Sequence, residues 1–311
     1  MTRLSGITPS GHAQLGNYLG AIRRWAQHTS GEDLYFVSDL HAMTSAHNPA
    51  KLRALTRETL AILLGSGIPD ELVFVQSDLL AEHASLTWIL ECVCTYGEAR
   101  RMIQFKEKSK GQSGVRLSLL SYPVLMVADI LLYGADQVPV GADQAQHVEL
   151  ARTLARRFNS QYGEVFAVPE LQLPTTAERV RDLADPARKM AKSTRDSAGA
   201  IYVLDAPDLI RRKIGRAVTD NPAGVANLVE ILAACTGQRP EDLTDQVSDH
   251  ANLKAQVADA VIEELRETRK RAMDLIEDRT ELDRIRARGA ERARERAQSR
   301  LSAARRMAGL G

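Results

Sequence analysis

Lys189 and Lys192 stand three apart in the stretch ADPARKMAKSTRDSAGA (residues 184–200), with Met190 and Ala191 between them and Ser193 directly after. Pro186 opens a turn before the pair and a run of small residues follows, so the segment reads as a surface loop carrying two ammonium groups beside hydroxyls. Ammonium groups on a loop suit the neutralisation of phosphate oxygens. They equally suit a loop that is merely solvated, and the loop alone does not choose between the two.

Other sets lie where a strand-like run passes into a helix-like one. In SGITPSGHAQLGNYLGA (5–21), Pro9, Ser10 and Gly11, then Gly16 and Asn17, precede helical spacing. Glycines at a helix start let backbone N–H groups approach an anion, and they also make an ordinary turn. His41 in SDLHAMT (38–44) follows a strand-like run, where a structural role competes with a chemical one. In VPVGADQAQHVEL (138–150), Gly141, Asp143 and Gln144 follow a strand and open a helix, and Asp143 is also a ready N-cap. SYPVLMVADILLYGAD (121–136) is strongly apolar yet carries Asp129 at its middle. A carboxylate there is costly without a partner, so a basic side chain or helix end answers it, or a ligand with a donor does.

These sets need a scaffold that brings strand ends together. DLYFVSDL (33–40) and ELVFVQSD (71–78) are aromatic and β-branched runs, while PAKLRALTRETLAILLGSG (49–67) and AEHASLTWILECVCTYG (81–97) have helical spacing. ADQVPVGADQAQHVELARTLARRFN (135–159) holds a short strand, a glycine turn and a helix. The alternation predicts an α/β fold with a parallel sheet covered on both faces, and ligands beyond the carboxyl ends of its strands. From about residue 205 the strand signals stop, and the rest reads as helix. A boundary near residue 195 therefore divides a sheet domain, 1–195, from an all-helical domain, 196–311. Between Arg279 and Arg306 ten arginines face four acidic residues, a pattern open to a solvated face, intramolecular pairing or a phosphate-facing stripe.

With 311 residues the chain can bury a sizeable core, and its formal charge of +1 confines any nucleic-acid surface to a local patch. Cys92, Cys94 and Cys235 are too few for a disulfide framework or a zinc site, and read as buried free thiols in a reducing cytosol. The start MTRLSGITPSGH has no leader-like apolar core, and no run approaches a membrane span, so a soluble cytoplasmic protein is expected.

Taken in order, SGITPSGHAQLGNYLGA, QFKEKSKG, SYPVLMVADILLYGADQVPVGADQAQHVELAR and DPARKMAKS resemble the landmarks of the class I aminoacyl-tRNA synthetases, most closely the bacterial tryptophanyl group. Gln14-Leu15-Gly16-Asn17 resembles the His-Ile-Gly-His motif, and Lys189 to Ser193 the Lys-Met-Ser-Lys-Ser motif. The resemblance implies a Rossmann-like catalytic domain and a helical domain that receives the anticodon end of tRNA(Trp). It implies attack of the L-tryptophan carboxylate on the α-phosphate of ATP, then transfer to tRNA. Catalysis of that step is positioning and electrostatics, and the lysine loop would act where charge builds as pyrophosphate leaves.

Residue by residue, the resemblance places Thr8, Pro9, Ser10, Gly16 and Asn17 along ATP, and Gly141, Ala142 and Asp143 at the ribose and adenosine, with the Val180 backbone near the adenine. Lys189, Met190, Ala191, Lys192 and Ser193 would hold the phosphates, with Lys189 and Lys192 catalytic and Lys108 either a third cation or ordinary loop chemistry. Mg2+ would accompany ATP on phosphate oxygens and water, with no protein metal site. Asp129 would accept the indole N–H, and Tyr122, Met126, His41 and Gln144 would shape that pocket. Such a filter makes an editing domain unnecessary.

The resemblance also implies a homodimer, with helices around 81–105, including Trp88 and Met102, as interface or as internal core. Ala191 stands where the family usually has serine, Thr8 where many bacterial members have glutamine, and Gln14 and Asn17 replace the histidines of the general class I motif. These changes beside the substrates imply a divergent or auxiliary copy with altered affinities. A tyrosyl-tRNA synthetase, or a synthetase-derived binding or regulatory protein, is the alternative.

Overall fold

The computed structural model describes residues 2–111, 114–139, 141, 144–172, 180–190, 197–244 and 249–310. Strands β1 (Leu4–Ile7), β2 (Leu34–Val37) and β3 (Val73–Val75) pair in parallel in that order, with Leu4 opposite Leu34 and Tyr35 opposite Val73. β4 (Gln137–Pro139) and β5 (Glu170–Gln172) form a second parallel pair. A bridge between Arg3 and Gln137 sets β4 beside β1, so the strands lie in the order β3-β2-β1-β4-β5. β5 was not expected from the sequence; it is short and largely accessible, with no alternation to betray it.

Parallel neighbours need crossover connections, and helices supply them. α1 (Leu15–Asn17) runs through a π turn at Tyr18–Ile22 into α2 (Arg23–His28) between β1 and β2. α3 (Asp39–Ala42) and α4 (Pro49–Gly65) precede β3. α5 (Leu80–Glu91), α6 (Tyr96–Arg101), α7 (Ile103–Ser109) and α8 (Leu117–Leu132) precede β4, and α9 (Ala145–Tyr162) precedes β5. The chain then continues as α10 (Pro207–Gly215), α11 (Pro222–Thr236), α12 (Pro240–Thr244), α13 (His250–Glu277) and α14 (Arg279–Met307). Local chemistry sets the helix starts. Asn48 caps α4 with Pro49 in its first turn, Asn221 and Pro222 repeat the device on α11, and Asp249 caps α13.

Alternate strand residues divide between two cores, as period-two geometry requires. Ile7, Tyr35, Val37, Val73 and Val75 share one with Leu60 of α4, Leu232 of α11 and Leu265 of α13. Leu34, Phe36 and Phe74 share the other with Leu86 of α5, Leu131 of α8, Phe158 of α9 and Leu301 of α14. The sheet is thus covered on both faces. Helices after residue 205 contribute directly to the core beneath β1–β3, while the expected boundary near 195 lies outside the described residues.

α14 returns along the edge strand β3. Gly289 permits this approach, since a Cβ there would stand 1.9 Å from the Val73 carbonyl oxygen. The arginines of α14 then meet acids around the sheet: Arg286 with Asp78 at 2.7 Å, Arg288 with Asp70 at 2.5 Å, Arg294 with Glu82 at 2.9 Å and Arg296 with Glu32 at 2.5 Å. Of the three readings of the arginine run, intramolecular pairing holds for these four.

The helix expected over 81–97 stops at Glu91. Thr95 starts α6 with a reciprocal cap to Glu98, and Arg157 joins Glu98 at 2.6 Å, holding its carboxyl down to about 2. The expectation of buried thiols is corrected: Cys92 is exposed, and Cys94 and Cys235 are partly accessible. Among the described residues no helix is long and apolar enough to cross a membrane.

Candidate active site

The carboxyl ends of β1, β2 and β4 open into a cleft of about 1030 Å³. Thr8, Pro9, Ser10 and Asn17 line it from the β1 end, His41 from α3, Lys108 from α7, Tyr122, Met126 and Asp129 from α8, and Gly141 and Gln144 from the turn after β4. Gly16, Val180, Lys189 and Met190 do not line it. Ala142, Asp143, Ala191, Lys192 and Ser193 lie outside the described residues.

Asp129 is 1% exposed and touches the cleft from inside an apolar helix. Of the two readings of its partner, the protein one holds for this carboxylate: two side chains hydrogen-bond it and a third stands at ion-pair distance. His41 Nε2 lies 2.8 Å from Oδ2, and Gln76 Nε2 donates to Oδ1 at 2.7 Å. His83 Nδ1 stands 2.8 Å from Oδ1, an ion-pair distance with oblique hydrogen-bond geometry. Burial pushes the Asp129 carboxyl up, but His41 and His83 outweigh it and hold the group below the usual carboxylate range. It is therefore an anion in the cleft wall, acceptor only.

An aromatic stack stiffens this network. Phe36 stacks on Phe74 at 5.3 Å between centroids, Phe74 lies beside His83 and Tyr133, and Tyr133 Oη meets His83 Nε2 at 2.9 Å. Earlier on α8, Tyr122 donates to Gln104 Oε1 at 2.8 Å and meets His147 Nε2 at 3.1 Å. Burial pushes the Tyr122 phenol up to about 12, so it stays a neutral donor. Lys108 sits over the Tyr122 ring at 5.7 Å, with its ammonium 3.4 Å from Gln104 Oε1. Thr8 and Ser38 hydroxyls meet at 2.9 Å, tying the ends of β1 and β2.

Of the two readings of the first-motif turn, an anion cradle or an ordinary turn, its N–H groups follow the second. The N–H groups that open α1 already have acceptors: Leu15 donates to the Ile201 carbonyl at 2.8 Å, Gly16 to the Gln14 side chain, and Asn17 and Tyr18 to the Gln14 carbonyl. These groups are engaged within the protein, and the turn offers the cleft side chains such as Asn17. The expectation for Met190 is corrected. Its side chain is 1% exposed in the core beneath β1–β3, its N–H binds the Val180 carbonyl at 3.2 Å and its carbonyl binds Gln14 Nε2 at 3.0 Å. Lys189, its neighbour, is exposed. The base of the segment is pinned, with Leu183 N–H on the Gly199 carbonyl at 2.9 Å.

Sequence reasoning passed over Gln76, His83, Gln104 and His147. Gln76 directly follows β3, so the strand-end rule that picked out His41 would have found it. The other three lie on helices or connections with no signal beyond a polar residue among apolar ones.

The family model for tRNA synthetases class I (W and Y) matches residues 1–280. The chain belongs to this family. Tryptophan–tRNA ligase 1 of Streptomyces coelicolor is 51% identical, over 100% of this chain and 98% of that protein. The crystal structure of tryptophanyl-tRNA synthetase from Mycoplasma pneumoniae superposes with a TM-score of 0.86 at 31% identity, covering 100% of this chain and 98% of its own. That of the Campylobacter jejuni enzyme complexed with ADP and tryptophan gives 0.86 at 30% identity, with 100% of both chains covered. As a class I synthetase, the chain carries the family's parallel sheet and C-terminal helices, in keeping with the order of motifs in its sequence.

Proposed function

We infer that the chain is an ATP-dependent tryptophan–tRNA ligase that joins the carboxylate of L-tryptophan to the α-phosphate of ATP, releases pyrophosphate and passes tryptophan to tRNA(Trp). The observation that carries the amino-acid choice is the ionised Asp129 in the cleft wall, held by His41, Gln76 and His83. Gln76 and His83 fill Oδ1, while Oδ2 meets His41. The indole N–H takes the second acceptor position of Oδ2, with Met126, Tyr122 and Gln144 around the ring.

ATP lies along Thr8, Pro9, Ser10, Asn17 and Gly141, with Asp143 at the ribose. Lys189, Lys192, Ser193 and Lys108 face its phosphates. Magnesium arrives with ATP and is held by phosphate oxygens and water. Tryptophan-dependent ATP–pyrophosphate exchange tests the reading. Exchange with tryptophan should exceed that with phenylalanine by at least about 10²-fold, because a phenyl ring has no donor and leaves the Asp129 acceptor unpaired, and should also exceed that with tyrosine, whose single O–H stands at the tip of a smaller ring and not at the indole N–H position. Equal exchange with tyrosine points to the sister enzyme, and none with either amino acid to a binding or regulatory protein.

Residues 196–311 act as the helical unit that takes the anticodon end of tRNA(Trp). A second copy of the chain covers Trp88 and Ile103, which are 66% and 55% exposed, whereas Met102 at 2% belongs to the core. Trp88→Glu should convert a dimer to a monomer in sedimentation velocity; a monomeric wild type would contradict this interface.

A further inference from the structure

We propose that Gln14 is a positioning residue for the nucleotide step, fixing where the lysine segment leaves the core. The proposal rests on the reading that Lys189 and its neighbours serve the phosphates of ATP. Gln14 is 2% exposed and does not line the cleft. Its Nε2 donates to the Met190 carbonyl at 3.0 Å while its Oε1 accepts the Gly16 N–H. A primary amide supplies a donor and an acceptor at one side-chain end, and both are used here.

The backbone on either side of Gln14 holds the far limb of the same segment. Leu15 N–H binds the Ile201 carbonyl at 2.8 Å, and Val203 N–H binds the Ala13 carbonyl at 2.9 Å. That limb has its own brace, the buried Lys213 ammonium, 2.7 Å from the Ala200 carbonyl and 2.6 Å from Asp205 Oδ2. The near limb at Met190 is joined to the first motif through the Gln14 side chain. Asn17, one helical turn further on, lines the cleft. A shift at Met190 therefore displaces Lys189 relative to Asn17. Asp129 is held by His41, Gln76 and His83, none of them bonded to Gln14. Loss of the Gln14 bonds should be felt by ATP and not by tryptophan.

Gln14→Glu tests this in steady-state ATP–pyrophosphate exchange. The introduced carboxylate keeps the acceptor for Gly16 but turns an oxygen toward the Met190 carbonyl. We expect kcat/KM for ATP to fall about tenfold, with tryptophan Kd by calorimetry within about twofold of wild type. The ATP defect should shrink as pH is lowered, because protonation of the introduced carboxyl restores a donor; wild type should lack that trend. Gln14→Met keeps the length and drops both bonds. If the new charge unfolds the chain, this variant should still give the ATP-selective loss, without the pH trend. Lys192→Ala is measured in parallel. Normal ATP kinetics in the Gln14 variants beside a crippled Lys192→Ala would overturn the positioning role and leave the nucleotide reading intact. Normal kinetics in all of them would overturn both. Equal losses toward ATP and tryptophan that follow a fall in Tm would mean plain packing and would also overturn it.

Discussion

Asp129→Asn should lower kcat/KM for tryptophan by about 10²-fold while KM for ATP stays within about twofold, because a hydrogen bond to a charged acceptor is worth about 1.5–3 kcal/mol. The substitution keeps shape and volume but replaces an acceptor-only group with one that also donates. Three donors, on His41, Gln76 and His83, already converge on this position, so one of them is left facing an amide N–H. Asp129→Ala is a poorer probe. Removing one member of a buried charge-paired set costs about 3–5 kcal/mol of stability, which would confuse recognition with folding. The sign of the acid dependence follows from the same contacts. The folded carboxyl is held below its unfolded value of about 3.9, so its stabilisation is complete above about pH 4 and is lost as pH falls further. Urea midpoints measured across that range should fall less steeply with acid in Asp129→Asn than in wild type.

Lys192→Ala should lower kcat for ATP–pyrophosphate exchange by about 10²–10³-fold, the loss typical of removing one preorganised stabiliser of developing charge. Tryptophan affinity, read by calorimetry without ATP, should be unchanged. The reaction uses no protein nucleophile, so the protein's contribution is alignment and neutralisation as the pyrophosphate bond lengthens. A lysine that bound ground state and transition state equally would change KM and leave kcat alone. The loss should therefore appear mainly in kcat. Lys189 is an exposed neighbour of the buried Met190, and Lys189→Ala should give a smaller loss of the same kind. A fall in kcat of less than about twofold for Lys192→Ala would remove this lysine from the chemistry.

The sheet was legible because β2 and β3 are short apolar runs between helical periods, which only a strand covered on both faces tolerates. The cleft was legible because loops after parallel strands converge, and Thr8, His41 and Gly141 all sit there. The cost of Asp129 in an apolar helix announced a partner, but not which one. His41, Gln76 and His83 are separated from it by 88, 53 and 46 positions, and single polar residues leave no periodic trace of what they face. The break after Glu91 had a readable mark in Thr95-Tyr96-Gly97-Glu98, a capping-box pattern inside what the apolar spacing joined into one helix. The closure of the first-motif turn had none. Whether N–H groups at a helix start await an anion depends on Gln14 and on Ile201, nearly two hundred residues away.

The most direct measurement compares exchange with L-tryptophan and with its benzothiophene analogue, in which sulfur replaces the indole N–H, in wild type and Asp129→Asn. The coupling between the two changes isolates the single contact. Wild type should prefer tryptophan by about 10²-fold, and Asp129→Asn should lose most of that preference by falling on tryptophan alone. The same preference in both proteins would mean that the carboxylate of Asp129 does not accept the indole N–H.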